Sequence, residues 1–515
     1  MSTESPAPPD RSNGSGRTEL ATVAKGAGFL AAGRVFSMAV RLVMAVMLAR
    51  WLGADDYGLY ILAISIAFSA SALGSFGLDT GMERYVAVET GRDDGGALRG
   101  ALQVGIAGTL AGSLVMAGVI VLLRDTLAND LFDEPDLVPL LTITALLVPL
   151  LAMSTFGFAT LIGFKRMGHG AIARDVVQPL ARLVLLGAVW IAGATAFRAG
   201  MAIAVSYLAA CVIAYRLVMR AVDSTSPGPI RREVRDIAAF SLPFWFTGVL
   251  RIARTRLQPV LLGVVGTTAN VGIFSVITSA SLLGRAATLS INKALRPTVA
   301  QLHDAGDHAE IGRLYATTTR WTLAVNLPIV LVIALLPESI LGVFGPNFTT
   351  GTSALVVVVL AELAGAATGM SGPIIAMSGH NRLKVINSFV WMAVSIAANV
   401  ILIPIWGLMG AAVAVVISTS SINIIRVVEI WVLYRVLPWD RHIWKPLSAG
   451  VTAASALVLV RAATDGPLSP LALAATAIGV AGLFLAVVAI LGFEEDDQDI
   501  IDRLRAKFSL RVRGR

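Results

Sequence analysis

The sequence predicts an all-α integral membrane protein of about fourteen transmembrane helices, arranged as two parallel-repeat six-helix lobes plus two C-terminal helices. Three observations predict it: an apolar composition, apolar windows recurring at spanning length, and basic residues confined to alternate loops. Of the 515 residues, 56% are hydrophobic and only 14% are charged, and the mean hydropathy is +0.77. So little polar surface cannot coat a soluble globule of this size.

The windows follow one another along the chain, separated by short Gly-, Pro- or charge-rich punctuation. Residues 1–20 are polar and rich in Pro, Ser and Gly, so they read as a disordered tail with no apolar core for a signal peptide. The first window, 26–49, ends at "LGADDYGLY", and the second is 57–78. Windows 99–123 and 137–162 flank the acidic loop "RDTLANDLFDEPD"; windows 172–194 and 199–219 follow. A basic segment, 221–236, precedes windows 237–265 and 270–293. The series continues with 314–336, 351–373, 384–404 and 408–433, and ends with 446–463 and 469–492. Each is close to the ~20 residues that cross ~30 Å of hydrocarbon. The expected division is therefore a tail (1–20), a first lobe (21–220), a linker (221–236), a second lobe (237–435), two further spans (446–492) and a charged tail (493–515).

Charge sets the orientation. With the amino-terminal tail taken as cytoplasmic, the loops then assigned inside hold most of the Lys and Arg, and those outside hold only Arg50, Arg124, Arg198 and Arg461. This is the positive-inside pattern, and it places both termini in the cytoplasm of a plasma-membrane protein. The net charge of +8 is mainly this topology signal, so nucleic acid is not an expected partner. The terminal "RLRAKFSLRVRGR" is suited to anionic lipid. One cysteine, Cys211, excludes a disulfide within the chain, and the five histidines lie scattered near expected helix ends and form no ligand set. No metal or organic cofactor is expected. No loop is long enough for a nucleotide domain, and no phosphate-binding glycine loop is present.

The two lobes follow from a repeat. "LARWLGADDYGLYILAIS" and "LLGVVGTTANVGIFSVITS" share a rhythm, with Gly53 opposite Gly266 and Gly58 opposite Gly272. "GFKR" from Gly163 matches "GHNR" from Gly379, and Arg41 falls opposite Arg254. All lie at an offset of roughly 215 residues, which indicates duplication. Six helices per copy bring both copies in from the same side, as parallel repeats.

The candidate site is a set of charges at membrane depth, where each costs a few kcal/mol unless it is hydrated or paired. Arg34 and Arg41 share a face of the first window, with Arg41 ~22 Å from its start. Arg251, Arg254 and Gln258 share a face of the seventh, whereas Arg256 points away from that face and is set aside. Arg285 and Asn292 lie seven apart in the eighth window, and Gln178 and Arg182 four apart in the fifth. The few acids at this depth, Asp175, Glu362 and Glu429, are outnumbered by arginines. A net positive cavity for an anion follows, because arginine stays charged and its planar fork suits phosphate oxygens. Glu362 is read as a coupling site for H⁺ or Na⁺, or as the ion-pair partner of an arginine. Arg426 and Glu429 are read as a local pair. Pro179, Pro243 and Pro373 mark helices expected to be interrupted, and Asn347 begins an "NFT" sequon on an expected outside loop.

The arginine-bearing first span, the turn carrying Leu52, Gly53, Tyr57, Gly58 and Tyr60, and the glycine-ended second helix "GSFGLDTGMERY" resemble the oligosaccharide flippases of polysaccharide biosynthesis, in the multidrug/oligosaccharidyl-lipid/polysaccharide exporter superfamily. The resemblance covers nearly the whole chain. It implies two six-helix lobes in a V around a cationic cavity. It also implies movement of a polyprenyl-(pyro)phosphate-linked oligosaccharide to the outer leaflet by alternating access, with membrane lipids and glycan-assembly enzymes as surroundings. A cation-coupled multidrug exporter would place acids in the spans instead. A lipid II-type flippase remains a close alternative. A membrane-embedded polymerase or glycosyltransferase would need paired catalytic carboxylates or a sizeable outer loop.

Overall fold

The computed structural model describes residues 15–92, 94–164, 173–226, 228–464 and 466–492. The side chains of residues 15–35, and several between 283 and 294, lie outside the described set, among them Arg34 and Arg285. Most of the expected tails, 1–14 and 493–515, also lie outside it, and residues 15–20 already form the start of α1.

In the first half the helices are α1 (Ser15–Gly74), α2 (Leu78–Arg92), α3 (Gly95–Asp125), α4 (Leu137–Gly163), α5 (Gln178–Ile191) and α6 (Ala196–Val222). The second half holds α7 (Val234–Val265), α8 (Thr268–Asp304), α9 (His308–Leu335), the short α10 (Pro337–Gly342), α11 (Thr352–Ala367), α12 (Ser371–Met377) and α13 (Asn381–Tyr434). Two more follow, α14 (Trp444–Ala462) and α15 (Pro470–Ile490). No strand occurs among the described residues.

Ten of these helices are long and apolar enough to cross a membrane, and the chain is a multi-pass membrane protein. Ten is fewer than the windows read from the sequence, for visible reasons. Helix α1 is two helices joined at Gly53 (φ 77°, ψ −178°), and α13 is two joined at Gly407 (φ 53°, ψ −125°). A positive φ is available to glycine at little cost. Helix α5 has only 14 residues, and the described apolar part of α8 is Thr268–Leu282. The outside of the bundle is greasy: Leu122, Ile191, Leu471 and Ile490 are each more than 80% exposed, as lipid-facing side chains are.

Of the three prolines read as interruptions, two sit at breaks. Pro179 opens α5 after a π-turn over Ala173–Val177, and Pro373 lies in α12 after the chain leaves α11. Pro243 does not interrupt anything; it and Pro259 lie inside the continuous α7.

The halves meet most closely where α1 crosses α8. A methyl group on Gly58 would stand 1.7 Å from the Thr268 carbonyl oxygen, and one on Gly272 would stand 2.3 Å from that of Ala54. Each would lie 3.1 Å from the other glycine's nitrogen. Gly58 and Gly272 are the repeat partners, and Ala54 and Thr268 have the same offset. The crossing is therefore one surface packed against its own copy, and only glycine permits so close an approach. The largest core cluster surrounds it, drawing Leu62, Leu141 and Ile203 from one half and Phe274, Phe348 and Leu355 from the other. Further echoes of the duplication appear away from the crossing. Asp94 caps α3 by accepting from Gly96 N and Ala97 N (3.1 and 2.9 Å), and Asp307 caps α9 by accepting from Glu310 N (3.0 Å). Gly193 and Gly407, again at that offset, both have positive φ. Helices α14 and α15 pack on α9 through Leu327, Val332, Ala453 and Phe484, so the appended pair docks on the second half.

Candidate functional site

Helix α7 carries the arginines, and its placement decides where they reach. The segment before it lies against the start of α3: Arg231 N donates to Gly96 O (3.4 Å) and Arg232 Nε to Gln103 Oε1 (2.9 Å). The first turns of α7 then lean on α2 and the end of α1. Gly77 and Gly81 leave room for the backbone and side chain of Ser241. Trp245 Nε1 donates to Leu73 O (2.9 Å), and Arg84 lies 4.2 Å from the Phe240 ring. At the far end, Gly263 abuts Leu62 and Phe132. The opposite side of α7 packs on α13. A helix held between two halves has two interior faces, and α7 is basic on both.

Toward the first half it presents Arg256. Its guanidinium lies 4.5 Å from the Phe68 ring of α1, and Phe68 packs edge-on to Tyr207 of α6 at 6.3 Å. Tyr207 is within electrostatic range of Arg41, Arg182 and Arg256, and Arg256 within range of Arg182. Arg182 Nη2 donates to the Tyr60 hydroxyl, while its Nε is buried with no acceptor. Arg41 donates Nε and Nη2 to Ser37 Oγ (3.2 and 2.9 Å). Among the described residues no carboxylate forms an ion pair with Arg41, Arg182 or Arg256.

Toward the second half α7 presents Arg254, whose guanidinium is 5.2 Å from the Trp391 ring and within electrostatic range of Arg426. Glu429 accepts from Asn387 Nδ2 (2.7 Å) rather than standing alone with Arg426. Arg251 is exposed and Gln258 half-buried, and neither reaches the other predicted groups through a described contact. Asn292 is half-buried, with its Oδ1 enclosed and unbonded. Glu362 is half-buried in α11 and engaged by a neighbour. Arg34 and Arg285 lie outside the described side chains.

The structure thus sets Arg41 and Arg182 both around Tyr207, and Arg254 beside Trp391. It also adds Arg256, set aside in the sequence reading, together with Tyr60, Tyr207, Trp391 and Arg426. The signal for Arg256 was present: three arginines in one span, only two on one face. Asp175, one of the few acids expected at membrane depth, pairs with Arg174 (3.0 Å). Among the described residues, the buried Arg320 of α9 pairs with Asp440. Away from this region, His303 and His308 pack on Tyr434, whose hydroxyl lies 3.2 Å from His303 Nδ1, and His380 packs on His303. Among the described residues no group of His, Cys, Asp and Glu is arranged to hold a metal.

A family model described as "Polysaccharide biosynthesis protein" matches residues 23–303. Stage V sporulation protein B of Bacillus subtilis (strain 168) is 28% identical over 166 residues, 32% of each chain. Probable flippase AglR of Haloferax volcanii is 24% identical over 226 residues, 43% of this chain and 46% of that one. The chain therefore aligns with less than half the length of either relative. In fold it is similar to lipid II flippase MurJ in an inward closed conformation, with a TM-score of 0.69 at 13% identity over 89% of this chain and 98% of that one. It is also similar to an inward-facing multidrug resistance MATE transporter of the MOP superfamily, with a TM-score of 0.60 at 14% identity over 82% and 96%.

Proposed function

The chain belongs to the polysaccharide biosynthesis protein family, and from that premise we propose that it is a flippase. It moves a polyprenyl-(pyro)phosphate-linked oligosaccharide from the cytoplasmic to the outer leaflet and makes or breaks no bond in it. The observation that carries this reading is the group Arg41, Arg182 and Arg256, from both halves and without a carboxylate partner. A guanidinium stays charged at any working pH, so this group repels itself until an anion arrives. A sugar phosphate cannot enter hydrocarbon unaided; arginines and water in the cleft replace its hydration while the polyprenyl tail remains in lipid. Rocking of the two six-helix lobes then alternates access. The lysine- and arginine-rich loops favour a cytoplasmic position for both termini and for the loading side. A multidrug cation exporter fits the charge poorly. A lipid II-type flippase shares the head-group chemistry and differs in the sugar.

The wider predicted set joins this reading. Arg34, Arg251, Arg254, Arg285, Gln258 and Asn292 line the route, with Arg254 beside Trp391 suited to a sugar ring. Glu362 couples the cycle to H⁺ or Na⁺. The substrate's chemistry makes glycan-assembly enzymes the expected neighbours on both sides. Reconstitution tests the function: proteoliposomes carrying a fluorescent lipid-linked oligosaccharide are scored for leaflet exchange. Exchange above empty liposomes is expected, and its absence under every imposed H⁺ or Na⁺ gradient overturns the flippase.

A further inference from the structure

We infer that the outward end of the α5–α6 hairpin binds one anionic phospholipid of the outer leaflet, with its head group on Arg198 and a chain in the groove below. The site draws on the first half alone, and the inference stands whether or not the protein is a flippase.

Two helices and a short turn build it. Helix α5 runs to Ile191, the chain turns at Gly193 with a φ of +92°, and α6 starts back at Ala196. The exposed Trp190 stacks on Trp51 at 6.0 Å. Tryptophans gather where membrane meets water, so this end lies at head-group level. Between the helices runs a groove of about 730 Å³, within the ~300–1,000 Å³ of sites that enclose organic ligands. One wall is Leu185, Val189 and Ala192, at i, i+4 and i+7 along α5 and its last turn. The other is Phe197, Met201 and Val205, at i, i+4 and i+8 of α6. Residues so spaced share a helix face. Ala188 and Ala202, which also line it, are too small to fill the space. From Ala192 to Leu185, and from Arg198 to Val205, is seven residues or ~10 Å. The groove therefore stays within the ~15 Å of hydrocarbon in one leaflet.

Charge stands at one end of it. Among the described residues no carboxylate pairs with Arg198. Its Nη1 donates to the carbonyl oxygens of Ala192 and Gly193 at the end of α5. Its Nε and Nη2 have no acceptor among the described residues. The Thr195 hydroxyl accepts from Arg198 N (3.2 Å) and keeps its own hydrogen to donate. Guanidinium and hydroxyl donors above an apolar slot match a lipid phosphate above its chain. A zwitterionic head group brings its own cation and gains less from Arg198. The cargo of a flippase has to reach both leaflets, so a groove confined to one of them suits a resident lipid.

An arginine that only capped α5 would steady the hairpin equally with and without lipid. Full-length protein in neutral detergent is titrated with phosphatidylglycerol, with phosphatidylcholine of the same chains, and with polyprenyl phosphate. Bound lipid is read by native mass spectrometry and stability by melting temperature. Wild type is expected to favour phosphatidylglycerol over phosphatidylcholine by about tenfold or more and to melt higher with it. Arg124→Gln, which removes another arginine of the outside loops, should behave as wild type. Arg198→Gln should bind the two lipids alike, and Arg198→Lys should keep part of the preference. Ala188→Trp fills the groove, leaves Arg198 in place and should weaken both lipids; it decides the matter if Arg198→Gln is too unstable to purify. No preference in wild type, an unchanged preference in Arg198→Gln, or unchanged binding in Ala188→Trp overturns the site. So does an Arg198→Gln protein that melts earlier without lipid yet gains as much from phosphatidylglycerol as wild type, since the arginine is then a cap alone. Polyprenyl phosphate that displaces phosphatidylglycerol at equal concentration overturns the resident lipid and gives the groove to cargo.

Discussion

Helices α1 and α7 occupy the same place in their repeats and have diverged in a telling way. At the offset that sets Gly53 against Gly266, Arg41 stands opposite Arg254 but Val43 stands opposite Arg256. Val43 is 49% exposed on α1, whereas Arg256 is tucked over Phe68. The duplication has kept its scaffold features: the Gly58–Gly272 crossing, the Asp94 and Asp307 caps, and the positive φ at Gly193 and Gly407. It has not kept all its charges: Arg41 and Arg254 correspond, but Arg256 has no counterpart at Val43. Packing between copies tolerates little change at a backbone contact, while side chains facing a cleft are free to specialise.

The largest effect should come from breaking the shared crossing. Gly58→Leu or Gly272→Leu forces a side chain onto a carbonyl and should abolish monodisperse protein in size-exclusion chromatography. Gly58→Ala, whose methyl would meet the Thr268 carbonyl oxygen at 1.7 Å, should cost more than the about 1–3 kcal/mol of ordinary overpacking and lower the melting temperature. Next comes the asymmetry itself. Arg256→Val should cut leaflet exchange by roughly tenfold to a hundredfold, the range for a lost charged hydrogen bond. Adding Val43→Arg should not restore it, because Val43 lies 49% exposed on α1, not on α7; rescue would show that total charge, not placement, matters. Third, Glu362→Gln should remove the response of exchange to an imposed H⁺ or Na⁺ gradient while leaving exchange driven by substrate supply within a few-fold of wild type.

The smallest effects lie at the caps. Asp94→Ala should lower thermal stability slightly more than Asp307→Ala, because Asp94 accepts two backbone N–H groups and lies 3.7 Å from Arg231. Its hydrogen bond from Ala97 N, with help from Arg231, holds its carboxyl below the usual value. A depressed folded pKa means that the cap contributes fully above the ordinary carboxylate range near 4. The contribution fades as pH falls through the lower folded value. A thermal-shift series across acidic pH should therefore bring the melting points of wild type and Asp94→Ala together.

The fold was largely legible because window length, loop charge and the Gly53/Gly266 and Gly58/Gly272 pairs each carry a physical constraint visible in one dimension. Helix α7 was placed as the seventh span, but Pro243 misled: the helix runs unbroken through it, as neighbouring helices allow in a membrane. The site was half legible. Angular spacing along a helix puts Arg251, Arg254 and Gln258 on one face, and that reading treats the remaining face as idle. That assumption holds for a helix against lipid and fails for one wedged between two lobes, which is why Arg256 was passed over. Tyr60 and Tyr207 carry no sequence signal as partners of Arg182, since their meeting depends on the packing of α1, α5 and α6. The packing of His303 and His308 on Tyr434, and of His380 on His303, was hidden for the same reason.

The crossing of α1 and α8 has a historical consequence. A patch that recognises its own duplicate inside one polypeptide would equally have joined two separate six-helix molecules about a twofold axis. Such a pair would have been identical in every side chain. Within one polypeptide that obligation is absent, and each half is free to become unlike the other.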